Sequence, residues 1–381
     1  MDAYARHQWV WRALRVLLLP WIRRRFRYEC DPIPEQGPIL LIANHVTSFD
    51  PFLVAIALGG HYAYFVATEQ ILRGFFGGLI QWLVDPIPRK KGASSLDTVR
   101  KCVKHFRAGH SVCLFGEGEQ SWDGRSVPVV EGTGSLARMA GVKLVTYRLE
   151  GGYLSRPRWG KSQRKGRVRG RLTGIYAPEA LQAMTTREVN ALINRDIGEN
   201  AWARQEKDRT PCPGRNLAEH LEKLLYLCPN CRKVGTLQSR GDRIMCPCGL
   251  SARYLDTGFF ENNVPFPHLA AWEDWQKECL SRRDFLVPEG ATGLFGDTEA
   301  RLSQIGDKHS ARLLGVGTLA QEEECLSCAG RRFPLGDISD MAMTRSNVLL
   351  FTCGGGYYEI RVSGNKNLRK YLEIWKESKP V

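Results

Sequence analysis

The sequence predicts an α/β domain with a mixed sheet flanked by helices, followed by a small cysteine-rich ribbon and a β-rich C-terminal module. Three observations support this: strand and helix patterns alternate up to about residue 200, four cysteines form two close pairs near residue 240, and several strand-like runs precede a final amphipathic helix. At 381 residues, 43% of them hydrophobic, the chain is long enough for two or three domains. We place their boundaries at 1–28, 29–210, 211–256 and 257–381. RNLAEHLEKLLYL, residues 215–227, predicts a short connecting helix before the ribbon, and a helical linker precedes the β-rich module.

Residues 1–28 predict a basic amphipathic helix. The segment carries seven arginines against Asp2, and three tryptophans flank a leucine-rich run. Tryptophan and arginine in this arrangement suit a helix that lies in a membrane interface. The uninterrupted apolar run 16–22 is too short to span a bilayer, which takes about 20 residues. The alternative is an ordinary amphipathic helix packed on the next domain.

Residues 29–210 alternate between strand and helix patterns. PILLIANH, HYAYFVAT and SVCLF read as strands, while the segment from Pro51 and DTVRKCVKHFRAG have helical spacing. GSLARMAGVKLVTYRLEG repeats the order of helix then strand, and Thr185 with Glu188 predicts a capping box for a further helix. In such domains the functional groups gather in loops at the strand ends.

A second basic patch covers residues 156–171, with eight Lys or Arg and no acid. Together with the first helix it accounts for the formal charge of +14, so we expect an anionic partner. Phospholipid head groups and nucleic acid both fit the charge. The tryptophan-rich first helix favours a membrane surface, and no nucleic-acid partner is expected.

Four cysteines predict a structural zinc site. Because no secretory signal is recognisable at the N-terminus, we expect a reducing compartment in which disulfides are rare. Cys228 and Cys231 lie on one knuckle and Cys246 and Cys248 on another, with a strand–turn–strand pattern around residues 240–242 between them. A closed set of four thiolates suits tetrahedral zinc and leaves no position open for catalysis. The alternative is four free cysteines, since the second knuckle is C-x-C where C-x-x-C is usual.

The first strand-end loop, NHVTSFD, predicts a catalytic pair or a helix start. His45 could remove a proton from a hydroxyl while the Asp50 carboxylate, on its other ring nitrogen, fixes the tautomer. Asp50 followed by Pro51 also fits an N-cap with proline at the first helical position. The two roles are compatible. We find no G-x-S-x-G nucleophile elbow, so direct attack by a substrate hydroxyl is the simpler reaction.

Two further loops predict ligand contacts. Arg89 and Lys90, in DPIPRKKG, offer donors for a phosphate. In FGEGEQS, Gly118 allows a ligand close to the backbone and Glu117 can orient a donor.

At these residues the chain resembles the glycerolipid acyltransferases that include the lysophosphatidic acid (1-acylglycerol-3-phosphate) acyltransferases. The N-H-x-x-x-x-D motif of that family is matched by Asn44, His45 and Asp50. The resemblance implies His45 as general base, Asp50 as its orienting carboxylate and an acyl thioester as donor, on coenzyme A or an acyl carrier protein. It implies Arg89 for binding the acceptor phosphate. The F-P-E-G-T-R-S motif is matched by Phe115, Glu117, Gly118 and Ser121. With Arg89 and Lys90, we expect the motif residues Asn44, Glu117, Gly118 and Ser121 to bind substrate.

The F-P-E-G-T-R-S motif, the third of the family, is not matched at Gly116, Glu119 and Gln120. The family's fourth block is a helix followed by a strand with a proline in V-P. It is recognisable in GSLARMAGVKLVTYR, where Thr146 replaces that proline. Because Gln120 stands where the family has arginine, phosphate recognition would rest more on Arg89, and the acceptor is open. The C-terminal module resembles a pleckstrin-homology or related barrel in its pattern over residues 333–375, which would imply lipid or protein binding.

We therefore expect an acyl-thioester-dependent acyltransferase, peripheral or monotopic at the cytoplasmic face of the cell membrane, that acts on a lysophospholipid. Its most fitting acceptor is 1-acylglycerol-3-phosphate, which would give phosphatidic acid. The alternative is a catalytically inactive membrane scaffold or binding protein that uses the zinc ribbon and the C-terminal module.

Overall fold

The structure is a computed structural model that describes residues 3–35, 37–72, 76–92, 96–162, 164–261, 264–287, 293–306 and 310–379. The chain divides into two compact units. The first comprises Met1–Arg89, Ser95–Arg158 and Gln163–Pro213, and the second comprises Lys90–Ser94, Trp159–Ser162 and Gly214–Val381.

The first unit alternates helices and strands as the sequence predicted. In chain order its elements are α1 Ala3–Phe26, β1 Glu29–Cys30, β2 Ile39–Ala43, α2 Asp50–Ala57, β3 Ala63–Thr68, α3 Gly77–Val84, β4 Ile87–Arg89, α4 Leu96–Arg107, β5 Ser111–Phe115, α5 Gly132–Met139, β6 Lys143–Glu150, α6 Gly152–Ser155, β7 Arg169–Tyr176, α7 Pro178–Ala183, α8 Thr186–Ile197 and α9 Ala201–Asp208.

Seven strands form one mixed sheet in the order β1-β7-β6-β2-β5-β3-β4. All neighbours pair in parallel except β6 and β7, which are antiparallel. The predicted mixed sheet is thus confirmed. Every residue of the central strands β2 and β5 is buried, because helices cover both faces. Since β2 and β5 pair in parallel with Ala43 opposite Phe115, the loops that follow them leave the same edge side by side.

Side chains of β2 alternate between two cores. Leu40 and Ile42 contribute to the core that includes residues of α4, α5 and α8. Ile39 and Leu41 contribute to the core that includes Ile22 of α1 and residues of α2. The capping box predicted for α8 is present, with Thr185 and Glu188 bonding each other's backbone.

Helix α1 packs one face on the domain and exposes another. His7, Trp11 and Phe26 are buried, whereas Trp9 and Leu17 are largely exposed. Within the residues that the structure describes, no helix is both long enough and apolar enough to cross a bilayer. The packed reading of this helix is therefore confirmed for one face, and membrane binding by the exposed face stays a prediction.

The described residues of the second unit form the cysteine ribbon, two α-helices and a large antiparallel sheet. Its elements are β8 Gln238–Arg240, β9 Arg243–Met245, β10 Ser251–Arg253, α10 Leu269–Ser281, β11 Phe295–Ile305, β12 Ala311–Gln321, β13 Cys325–Cys328, β14 Arg331–Pro334, β15 Ile338–Thr344, β16 Val348–Cys353, β17 Gly356–Arg361 and α11 Arg369–Glu377. The ribbon is three-stranded in the order β10-β9-β8, and the large sheet has the order β14-β13-β12-β11-β17-β16-β15.

The connecting helix predicted before the ribbon is wrong. Its segment, 215–227, forms only a 3-10 turn at Leu221–Lys223. Ribbon side chains explain the difference, because they bond the backbone of this segment: Asp242 accepts from Leu217 N–H at 2.6 Å, and the Ser239 hydroxyl accepts from His220 N–H, which a helix would use, at 2.7 Å.

Candidate active site

The candidate site lies at the carboxyl edge of the first sheet. Asn44 and His45 directly follow β2, and Gly116 and Glu117 directly follow β5. Because these strands are neighbours in parallel register, the first and third predicted motifs come together. Their loops are bonded to each other through the backbone of His45.

His45 and Asp50 form the predicted pair. His45 Nδ1 lies 2.9 Å from Asp50 Oδ2, and the aspartate side chain is 1% exposed whereas the histidine is 20% exposed. With Nδ1–H donating to the carboxylate, Nε2 is left as the proton acceptor. A sheltered carboxylate behind a partly accessible imidazole is the arrangement expected of a general base with its orienting group.

Asp50 does not act as the N-cap that the sequence also allowed. Helix α2 begins at Asp50, and Phe49 takes the cap position without a side-chain hydrogen bond. The carboxylate instead accepts from Val46 N–H at 2.5 Å, Thr47 N–H at 2.8 Å and the Thr47 hydroxyl at 2.7 Å. It turns back to organise the loop before the helix, which is also what points it at His45.

The third motif holds the His45 backbone from both sides. Glu117 Oε1 accepts from His45 N–H at 3.1 Å, and Ser121 N–H donates to the His45 carbonyl at 2.9 Å. The imidazole stacks on the Phe115 ring with 4.3 Å between centroids. Main chain and ring of His45 are therefore fixed by residues about 70 positions away in sequence.

Glu117 is buried next to the pair. Burial raises the pKa of its carboxyl group to about 8, against hydrogen bonds from His45 N–H, Val127 N–H and the Ser126 hydroxyl that lower it. A carboxyl group with this pKa is largely protonated at neutral pH.

Arg89, the predicted phosphate ligand, lies against the third motif. Its Nη1 would be 2.8 Å from a Cβ atom placed on Gly118, and Gly118 has a φ of +71°. A side chain at position 118 would be strained and would displace the guanidinium, so glycine is needed there for both reasons. Lys90 is exposed and belongs to the segment grouped with the second unit.

Asn44 and Ser121, predicted as substrate ligands, use their side chains on the protein. The Asn44 amide donates to the Leu149 carbonyl at 2.9 Å and accepts from Leu149 N–H at 2.7 Å, which ties the loop to β6. The Ser121 hydroxyl donates to the Arg125 carbonyl at 2.8 Å and accepts from Gly124 N–H at 3.0 Å. A substrate contact by either residue stays a prediction.

Sequence reasoning missed three residues that shape the site: Thr47, Phe115 in its role as a stacking partner, and Arg158. Thr47 was readable as a possible local bond to Asp50, since hydroxyls bond carboxylates a few positions away. The contact of Phe115 with His45 depends on the pairing of β2 and β5. Arg158 was visible only as a charge in the second basic patch.

The four predicted cysteines of the second unit also come together. The sulfur atoms of Cys228, Cys231, Cys246 and Cys248 all lie within 4.8 Å of one another. Cys228 is 3.6 Å from Cys248, and Cys231 is 3.7 Å from Cys246. The predicted strand–turn–strand between the pairs is present as β8 and β9, with Gly241 at a φ of +62° in the turn.

Residues 25–150 match the family model described as Acyltransferase. This part of the chain is therefore similar to acyltransferases. The matched range contains the first three motifs, including His45, Asp50, Arg89 and Glu117. It covers about a third of the chain, and the ribbon and the C-terminal sheet lie outside it.

Two curated plant proteins are similar over 115 residues. They are the chloroplastic 1-acyl-sn-glycerol-3-phosphate acyltransferase BAT2 of Brassica napus, 29% identical over 30% of this chain and 33% of that protein, and LPAT1 of Arabidopsis thaliana, 27% identical over 30% of this chain and 32% of that protein. The chain spans about a third of the length of these relatives.

Among solved structures, the 1-acyl-sn-glycerophosphate (LPA) acyltransferase PlsC from Thermotoga maritima is similar. It is 17% identical and has a TM-score of 0.38, with 48% of this chain and 80% of that chain covered.

Proposed function

We propose that the protein is a membrane-associated acyltransferase that transfers an acyl group from a thioester to the hydroxyl of a lysophospholipid, with 1-acylglycerol-3-phosphate as the acceptor. The observation that carries this proposal is the His45–Asp50 pair, bonded at 2.9 Å, at the strand-end edge of a domain of the acyltransferase type. The two similar plant proteins are both 1-acyl-sn-glycerol-3-phosphate acyltransferases, which supports the choice of acceptor.

In this reaction His45 Nε2 takes the proton of the acceptor hydroxyl as its oxygen attacks the thioester carbonyl carbon. A tetrahedral intermediate forms, its carbon–sulfur bond breaks, and the imidazolium gives the proton to the leaving thiolate, which returns His45 to its neutral form. The products are an ester and a free thiol. Asp50, which already accepts three other hydrogen bonds, stabilises the imidazolium without being protonated.

Arg89 is the proposed ligand for the acceptor phosphate, with Lys90 as a further cation. An arginine fork can bind two phosphate oxygens at once. The position of Arg89 beside Gly118, next to the loop that holds His45, supports this assignment. Gln120 supplies no charge, so the affinity for phosphate should depend strongly on Arg89.

The membrane surface is proposed to be bound by α1 and α3. Both helices expose large apolar side chains, which is unusual for a protein surface. They are Trp9, Val16, Leu17 and Trp21 on α1, and Leu79 and Trp82 on α3. The two helices touch, since the Arg6 guanidinium lies 5.2 Å from the centre of the Trp82 ring. Arg12, Arg23 and Arg24 are exposed along α1, which fits attraction to anionic head groups.

The four-cysteine cluster is proposed to hold a structural zinc ion. Four sulfurs bound tetrahedrally at about 2.3 Å from zinc would lie about 3.8 Å apart, close to the two distances of 3.6 and 3.7 Å in this structure. The donor set therefore fits the ion. Bound zinc would cross-link the two knuckles of the ribbon. All four ligands would come from this chain, so no position would be open for substrate.

The C-terminal sheet is proposed to be a pleckstrin-homology-like module. Strands β11 to β14 form a four-strand meander, and β11 also pairs with β17 of the three-strand meander β15 to β17. Helix α11 follows the last strand. Both features support the resemblance noted in the sequence.

An inactive membrane scaffold is the second candidate, favoured by the neutral Gln120 in the third motif. One assay separates the two. Free-thiol release from acyl-coenzyme A, and from acylated acyl carrier protein, is measured with a panel of lysophospholipids for wild type and His45→Ala. Release that requires both an acceptor and His45 supports the enzyme. No release with either donor, from folded protein, contradicts it and leaves the scaffold.

A further inference from the structure

Arg158 is a nearly buried cation attached to the third-motif loop. Its side chain is 6% exposed, and its Nη1 donates to Glu119 Oε2 at 2.9 Å and to the Gln120 carbonyl at 3.0 Å. The guanidinium also lies 4.1 Å from the centre of the Trp122 ring. The Arg158 side chain therefore contacts three residues of this loop, Glu119, Gln120 and Trp122.

The loop that Arg158 holds is the one that fixes His45. Within residues 117–122, Glu117 accepts from the His45 backbone N–H and Ser121 donates to the His45 carbonyl. The Arg158 contacts fall on Glu119 and Gln120, between those two bonds. Displacing the loop would move both backbone anchors of His45 together.

The segment that carries Arg158 also lies along the first-motif loop. A Cβ atom on Gly152, at the start of α6, would be 3.4 Å from Thr47 Cγ2. Arg156 places its guanidinium 4.9 Å from the centre of the Phe49 ring, next to Asp50. Residues 152–158 thus contact the loops of both motifs.

We propose that Arg158 is a positioning residue for the acyl transfer, acting through residues 117–122 on the placement of His45. This rests on the proposed function. The guanidinium group is almost inaccessible to solvent and its Nη1 is bonded within the protein, so its contribution is to geometry and not to substrate affinity. A general base displaced by about 1 Å can lose a factor of about 100 in rate.

The kinetic test compares Arg158→Met and Arg158→Lys with wild type and with Arg100→Met. Arg100 is the control, because its side chain is 80% exposed on α4 and pairs with the exposed Asp97 at 3.8 Å. We expect Arg158→Met to lower kcat by a factor of about 10 to 100 with the KM for the lysophospholipid within about threefold of wild type. Lysine, which can keep one of the two hydrogen bonds, should restore part of kcat.

A raised KM with kcat unchanged would show that Arg158 binds substrate, and unchanged values of both would show that it is dispensable; either result overturns the proposal. The double variant Arg158→Met/Glu119→Gln removes both charges, so it separates loss of position from an unpaired carboxylate. It should remain slow in kcat, and recovery of wild-type kcat would contradict the positioning role.

A second readout does not depend on activity. The 15N NMR signals of the His45 ring, assigned by their loss in His45→Ala, report which ring nitrogen carries the proton. Wild type and Arg100→Met should show the Nδ1–H form, and Arg158→Met should show a mixture of the two tautomers. An unchanged His45 spectrum in Arg158→Met would overturn the positioning role, while absence of acyl transfer by wild type would instead count against the proposed function.

Discussion

Asp50 concentrates several hydrogen bonds on one carboxylate at the centre of the site. Its Oδ2 faces His45 Nδ1, Val46 N–H and Thr47 N–H, and its Oδ1 accepts from the Thr47 hydroxyl. These bonds fix the orientation of the carboxylate toward the His45 ring. The same bonds hold the loop that presents His45.

Replacing Asp50 by asparagine should therefore affect catalysis more than binding. The amide carries no negative charge to stabilise an imidazolium. Its NH2 group can donate to His45 Nδ1, which favours the tautomer that has its proton on Nε2 and cannot accept another there. We expect kcat to fall by roughly 10²- to 10⁴-fold in a steady-state thiol-release assay. Asp97→Asn is the control, because Asp97 is exposed on α4 and should show wild-type kinetics. Equal activity of the Asp50→Asn variant and the control would contradict the pairing.

Glu117 should make stability depend on pH. Burial raises the pKa of this carboxyl group from 4.5 to about 8, so between these values the folded protein keeps a proton that the unfolded chain has lost. The free energy of unfolding should then decrease as pH rises through this window, by on the order of 1 kcal/mol per pH unit. Glu117→Gln, which cannot ionise, should lack this component in urea unfolding from pH 5 to 8.

The surface variant Glu206→Gln should keep the wild-type pH dependence, since Glu206 is exposed on α9. If wild type and Glu117→Gln had parallel profiles of unfolding free energy against pH, Glu117 would be ionised in the folded protein throughout.

At this scale the sequence allowed His45 and Asp50 to be predicted because they are five residues apart and their chemistry is local. Glu117 was predicted from its motif. The stacking of Phe115 on His45 and the clamp by Arg158 depend on which strands are neighbours, and no spacing in the sequence carries that information. Asn44 shows the same limit, because its partner Leu149 is 105 positions away.

Among the elements, the cysteine ribbon is fastened to α10 by buried side chains. The Trp272 indole donates to the Leu227 carbonyl at 3.1 Å, directly before Cys228, and the Gln276 side chain accepts from Tyr226 N–H at 3.0 Å. Disorder in the ribbon would therefore remove contacts from α10 as well.

Purified protein should contain one zinc ion per chain, and chelation should destabilise the second unit. We expect Cys228→Ser and Cys246→Ser to lose the ion and to lower the Tm of that unit by about 10 °C or more, since structural zinc contributes directly to folding. Metal analysis and calorimetry measure both effects. Cys353→Ser, on β16 outside the cluster, should retain zinc. Metal-free wild-type protein with the same Tm before and after chelation would refute the zinc site.

The elements were predictable where local signals agreed with the fold. The capping box at Thr185 and the alternating runs of the first unit placed helices and strands correctly. The segment 215–227 has helical residues by composition, but Asp242 and Ser239 bond its backbone and Leu221, Leu224 and Leu225 are all buried. Tertiary partners decided its conformation, and the sequence does not show them.

For the whole molecule, the apolar face of α1 and the positive charge at its end predict binding to anionic vesicles. Trp9→Ser/Val16→Ser/Leu17→Ser should weaken sedimentation with phosphatidylglycerol-containing vesicles at least about tenfold, because each lost apolar side chain removes roughly 1–2 kcal/mol of burial. Added salt should weaken wild-type binding further. Leu96→Ser/Met139→Ser, also exposed but on α4 and α5, is the control. Equal binding by the triple variant and the control would exclude this face.

The most direct test of the account is the formation of phosphatidic acid from labelled acyl-coenzyme A and 1-acylglycerol-3-phosphate, compared between wild type and His45→Gln. We predict a labelled product that requires the acceptor and a kcat lowered by roughly 10²- to 10⁴-fold in the variant, with an unchanged Tm. Product formation at the wild-type rate by folded His45→Gln would contradict the account, because the reaction would then not depend on the pair at the centre of the site.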